Sequence, residues 1–261
     1  MKPAAFTLDQ PASVPQLASL LAQQGESRIM AGGQSLGPML NLRLARPDHI
    51  VSIAGLSDLN AVEETNDAVI IGACVTHAAI ADGRVPDIGK GILPSIAQNI
   101  AYRAVRNRGT IGGSLCHADP AADWLSTLTA LDAAVLTLST NGGRAIALTQ
   151  FVAGPFRNTL RSGEIVQAIR IPKVSPDARW GYYKACRKPG EFAHAMAAVL
   201  IDPTRNVRRV VIGAVGGAPI VLDGANLAPE VAERALLQSG LDEIGRGMQM
   251  VALRRAMERA A

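Results

Sequence analysis

The sequence predicts an α+β protein, and three observations carry that prediction. The first fifty residues read as a small βαβ-like unit with a glycine turn after a strand. Its middle mixes strand-length apolar runs with helical patterns. Its last third reads as three strands followed by two helices, rather than as strands and helices in alternation. Hydrophobic residues make up 48% of the 261 positions and aromatics only 3%, so the core is built from Ala, Val, Ile and Leu.

In chain order, "SVPQLASLLAQQGE" (13–26) sets Val14, Leu17, Leu20 and Leu21 on one helical face. Ser13 is placed to cap this helix and Gly25 to end it. "RIMA" and "HIVSI" (49–53) read as strands, the first running into Gly32–Gly33. "DAVIIGAC" (67–74) is a further strand, and Thr76 is placed to cap a short helix containing His77. "ILPSIAQNI" (92–100) and "AADWLSTLTALDA" (121–133) carry helical spacing, the latter opened by Asp119–Pro120. "AVLTLST", "RAIAL" and "EIVQAIRIP" read as strands with a hairpin at "NGG". "KVSPDA" (173–178) is the linker candidate. Beyond it lie "RWGYYKACR", "AHAMAAVLID" and "NVRRVVIGAVGG" as three strands, then helices at "PEVAERALLQSG" and "GMQMVALRRAMERA". The expected units are 1–56, 57–175 and 179–261.

The bulk chemistry excludes several classes. Net charge is only +4, and no Lys/Arg run or set of stacking aromatics suggests nucleic-acid binding. The three cysteines, Cys74, Cys116 and Cys186, form no CxxC pair, which argues against an iron–sulfur or zinc site and suits a reducing compartment. The N-terminal residues lack a signal-peptide pattern, and no apolar run reaches membrane-spanning length. These features lead to the expectation of a cytoplasmic protein.

Two glycine stretches are the chemical focus: "AGGQSLG" (31–37) and "TIGGS" (110–114). Glycine lets a ligand approach the backbone, and successive N–H groups in such turns form an anion-binding concavity. The hydroxyls of Ser35, Thr110 and Ser114 add donors. Two such stretches could grip the diphosphate of a dinucleotide, or both could be ordinary tight turns; neither fits the GxGxxG or P-loop pattern. Cys116, His117, Asp119 and Asp123 do not converge as metal ligands, because adjacent Cys and His point apart in extended chain. His49, His77 and His194 read as structural.

"AGGQSLGPMLNLRLARPDHIVSI", followed by "TIGGSLCHADPAADWLSTLTALDA", "GEIVQAIRIP" and "YYKACRKPGEFAHAMAAVLI", resembles the FAD-binding medium subunit of molybdenum hydroxylases. This is the carbon monoxide dehydrogenase medium-subunit family, related to the xanthine dehydrogenase flavin domain. The resemblance implies a PCMH-type (vanillyl-alcohol-oxidase-like) FAD-binding fold of two α/β subdomains. It adds a small C-terminal α+β domain with a three-stranded antiparallel sheet and helices. It implies that Ala31, Gly32, Gly33, Gln34, Ser35 and Leu36 line the FAD diphosphate on one side. Thr110, Ile111, Gly112, Gly113 and Ser114 form the second wall. Asp123 matches a family acid that binds FAD, although an acid in the first turn of a helix also complements its dipole. Val166 matches an apolar neighbour of the flavin, Lys184 a lysine near it, and Phe192 an aromatic position close to the ring. Ser114 stands where many relatives have Asn, and Gln34 where some have His.

The implied function is electron transfer. The flavin subunit takes electrons from the [2Fe–2S] clusters of a small partner subunit and passes them to an external acceptor: NAD, oxygen, a quinone or another. Molybdopterin is expected only in a large partner subunit, the whole assembling as a dimer of heterotrimers. A stand-alone flavoprotein oxidoreductase and a flavin-free assembly subunit are the alternatives.

Overall fold

The computed structural model describes residues 2–23, 27–224 and 229–261. The first sheet holds β1 (Thr7–Asp9), β2 (Ser27–Met30) and β3 (His49–Ser52), with helices α1 (Val14–Gln23) and α2 (Leu36–Asn41) between them in sequence. β3 is central and pairs in parallel with both neighbours. The expected helix stop at Gly25 lies outside the described residues. Sequence reading overlooked β1, because three residues at a mostly exposed edge bury too little to leave a pattern.

The second sheet runs β4-β5-β10-β6-β7 and is antiparallel throughout. Its strands are β4 (Val62–Glu64), β5 (Ala68–Gly72), β6 (Ala134–Leu138), β7 (Ala145–Ala147) and β10 (Ile165–Pro172). Between β5 and β6 the chain makes α3 (His77–Ala81), α4 (Ile92–Gln98), α5 (Arg103–Arg106), α6 (Ile111–His117) and α7 (Asp123–Ala130). Between β7 and β10 it makes α8 (Leu148–Phe151) and a small ribbon of β8 (Val152–Gly154) and β9 (Arg157–Asn158). The largest apolar cluster joins this sheet to its helices through Ile71, Ile96, Leu115, Trp124, Leu128 and Ile169. A smaller cluster ties it to the first sheet, packing Leu17 and Val51 with Leu59, Cys74 and Ile165.

The third sheet has the order β11-β12-β13-β14: Arg179–Ala185, Ala195–Asp202, Val207–Gly213 and Ile220–Asp223. It is four-stranded, which corrects the expected three. β14 is a four-residue half-buried edge, so its periodicity is weak. Helices α9 (Pro229–Leu237) and α10 (Glu243–Arg259) cover one face, and α7 the other. β12 is thus covered on both sides, which is why "AMAAVL" reads as a continuous apolar run. Asp119–Pro120 does not open α7. Asp119 closes a turn on Ala121 and Ala122 (2.9 and 3.0 Å), and the helix starts at Asp123. Among the described residues no helix is long and apolar enough to cross a membrane.

Candidate functional site

The two glycine stretches meet. A Cβ at Gly32 would lie 1.9 Å from the carbonyl oxygen of Arg108, so the first stretch rests directly on the backbone that leads into the second. Ala31 reaches Gly113, whose added Cβ would be 3.8 Å from that of Ala31. Only glycine permits the first contact, and Gly33 has the left-handed φ of +70° that favours glycine.

Their hydrogen bonding differs. "TIGGS" is not a loop: Thr110 caps α6 and the two glycines lie inside its first turn. The N–H of Ile111 donates to Val75 (3.1 Å), that of Gly112 to Ala73 (3.0 Å) and that of Ser114 to Thr110 (3.0 Å). The Gly113 N–H donates to the Thr110 hydroxyl at 3.1 Å. All four donors are therefore used by the protein itself. Gly112 is needed because a Cβ there would lie 2.5 Å from Ala73, and one at Gly113 would strike the capping hydroxyl at 2.8 Å. The Ile111 side chain is in the main core. In the first stretch, by contrast, the N–H groups of Gly33, Gln34, Ser35 and Leu36 have no protein acceptor among the described residues. The Gln34 amide folds back onto the Gly32 carbonyl at 3.2 Å, and the hydroxyls of Ser35 and Ser114 have no protein partner among the described residues. The free donors belong to the first stretch; the second is its supporting wall.

Asp123 and Lys184 are brought together although they are far apart in sequence. The Lys184 ammonium lies 2.8 and 3.1 Å from the two Asp123 oxygens and donates to the Asn99 carbonyl at 2.9 Å. Each side chain is only 6% exposed. Tyr182 donates its phenol to Asp123 Oδ1 at 2.7 Å. Burial pushes the Asp123 carboxyl above its ordinary range, and the Lys184 ammonium and Tyr182 hydroxyl pull against that rise. Burial and the adjacent carboxylate hold the Tyr182 phenol well above its usual value. Asp123 is a first-turn acid of α7, but its partners are side chains of β11.

Asn99 leads into an open cleft of about 400 Å³ whose lining includes Tyr102, Val105, Phe192 and His194 together with the charged Arg187 and Glu191. Phe192 and Tyr102 are both largely exposed there. Ala101 takes a left-handed φ of +46°, and Arg106 pins the turn by donating to the carbonyls of Ile100 and Ala101 (2.9 and 2.7 Å). α5 connects this cleft to Gly109, whose N–H donates to the Val105 carbonyl at 2.7 Å. Val166 is not part of this surface. It is buried in β10, within the same apolar cluster as Ile111. Sequence reading missed Tyr102 and Tyr182; the even spacing of Tyr182 and Lys184 on one strand face was the available signal.

Three features mark the site: a glycine turn whose N–H groups at 33–36 have no protein acceptor among the described residues, the buried Asp123–Lys184–Tyr182 cluster, and an open cleft carrying Phe192 and Tyr102. Residues 4–174 match the family described as the FAD binding domain in molybdopterin dehydrogenase. The chain belongs to that family and is an oxidoreductase subunit whose cofactor is FAD. It is 36% identical over 247 residues to the nicotine 6-hydroxylase medium subunit of Paenarthrobacter nicotinovorans, covering 90% of this chain and 86% of that one. The carbon monoxide dehydrogenase from Hydrogenophaga pseudoflava, in a form lacking the Mo-pyranopterin moiety of the molybdenum cofactor, superposes with a TM-score of 0.88. The two are 28% identical, with 100% of this chain and 98% of that one covered. Quinoline 2-oxidoreductase from Pseudomonas putida 86 superposes at 0.86 and 30% identity, with 100% and 98% covered.

Proposed function

We propose that this chain is the flavin subunit of a molybdenum hydroxylase assembled with a large molybdopterin subunit and a small [2Fe–2S] subunit, as a dimer of heterotrimers in the cytoplasm. Its likeness to a nicotine 6-hydroxylase medium subunit and, over the full chain, to a carbon monoxide dehydrogenase with a molybdenum cofactor supports this assembly. FAD, when bound, supplies the chemistry: it can accept electrons from the clusters of a partner and give them to an external acceptor.

The observation that carries the reading is the contact of Gly32 with the Arg108 carbonyl beside N–H groups at 33–36 that have no protein acceptor among the described residues. A diphosphate fits this donor set, since backbone N–H groups in a glycine turn bind anions. In this reading residues 31–36 hold the diphosphate, and Thr110, Gly112 and Gly113 shape its wall with the Ser114 hydroxyl. Asp123 and Lys184 set the charge beside the flavin, Phe192 and Tyr102 flank its ring, and Val166 backs the site from the core without reaching its surface. The first two sheets then form the two halves of a PCMH-type FAD fold, over 1–56 and 57–175, with the third sheet as the domain at 179–261.

Titrating the full chain with FAD and with riboflavin tests this. Saturable one-to-one binding of FAD, with riboflavin at least tenfold weaker, is the expected result; equal affinity for both would remove the diphosphate assignment.

A further inference from the structure

We propose that Tyr182 is a positioning residue of the flavin site: its phenol fixes the Asp123 carboxylate in the orientation that holds Lys184, and so governs FAD affinity and its pH range. The proposal rests on the placement of Asp123 and Lys184 in the FAD site argued above.

The geometry is specific. Residues two apart on a strand share a face, so β11 presents the Tyr182 phenol and the Lys184 ammonium side by side to one carboxylate at the start of α7. Tyr183, between them, points away and meets Arg255 and Arg259. A buried carboxylate is stable as an ion only when its oxygens are well supplied with donors. Lys184 alone divides its donors between Asp123 and the Asn99 carbonyl. The phenol supplies the missing donor without adding a charge.

The ionisable groups facing Asp123 are those of β11, Lys184 and Tyr182, with Cys186 acting on Tyr182 from the same strand. α4 contributes only the carbonyl of its C-cap residue, Asn99. Among the described residues, α6, α8, β12 and β13 place no ionisable side chain on this carboxylate; the neighbouring His77 is engaged by Trp124 instead.

Tyr182→Phe keeps the ring and removes only the donor. Losing it favours the protonated carboxyl, so the acid limb of FAD binding should move to higher pH. On the full chain, the variant should bind FAD about tenfold more weakly than wild type at pH 5.5 and within about threefold at pH 8.5. Thermal unfolding without FAD checks the fold, and a double-mutant cycle with Asp123→Asn keeps the test valid if stability falls. Strong non-additivity in FAD affinity is expected. A Kd-versus-pH curve that superimposes on wild type, or additive effects in the cycle, would overturn the role of Tyr182. If Lys184→Met and Asp123→Asn also leave FAD binding unmoved, the site assignment itself fails. If those two weaken binding and Tyr182→Phe does not, only the positioning role falls.

Discussion

His77 shows how a single residue can carry a pH dependence. Its imidazole is buried; Nδ1 accepts the Trp124 indole N–H at 3.1 Å, and its own backbone N–H donates to Gly109 at 2.8 Å. Burial, and then the nearby Arg106, depress its pKa to about 4. In the unfolded chain it titrates near 6.5. The unfolded state therefore binds the extra proton between these values, and stability falls as pH drops from 6.5 toward 4. Between pH 7 and 5 this one group should cost about 2 kcal/mol of unfolding free energy. In His77→Gln, which keeps an acceptor for Trp124, that part of the slope should vanish in denaturant titrations at the two pH values. An unchanged slope would show that His77 is protonated in the fold. Glu, Asp and His positions in the sequence give no warning of this, because depression of the pKa comes from burial and not from neighbours in the chain.

At the scale of elements, the cradle depends on backbone contacts that no side chain mediates. Gly32→Ala puts a methyl 1.9 Å from the Arg108 oxygen, so the two stretches must separate. We expect destabilisation of about 1–3 kcal/mol by overpacking, together with loss of FAD binding in the titration. Thr110→Ala should cost about 1 kcal/mol through loss of the α6 cap. Because it also releases the Gly113 N–H, its effect on stability should exceed its effect on FAD affinity; the reverse order would assign Gly113 a direct role toward the ligand. The glycine pair at 112–113 was legible as special, but its reason was not. Spacing left a phosphate turn and an ordinary tight turn both open, and the resemblance implied a wall of the FAD site; the structure uses both glycines to seat a helix against Ala73 and Thr110.

Across the whole molecule, the third sheet is joined to the second through α7, every residue of which is buried. Glycines allow both close packings: a Cβ at Gly213 would lie 2.0 Å from the Ser126 hydroxyl oxygen, and one at Gly181 would lie 1.9 Å from the Ala256 carbonyl of α10. Gly181→Ala should therefore lift α10 from β11, costing about 1–3 kcal/mol. Calorimetry should show a lower Tm, by about 2–4 °C per kcal/mol for a chain of this size. Because β11 also carries Tyr182 and Lys184, FAD affinity should fall with it. The sequence by itself determined the α+β class, most of the longer strands and helices, the Thr76 cap, the hairpin at 141–143 and the family, since these follow from local periodicity, turn chemistry and motif. Only the tertiary structure decided which donors stay free among the described residues, that Asp123 of α7 is held by Tyr182 and Lys184 of the third sheet, and that short edges such as Thr7–Asp9 and Ile220–Asp223 are strands at all. The physical reason is common to all three. Burial and long-range pairing fix these features, and they leave no pattern in a few consecutive residues.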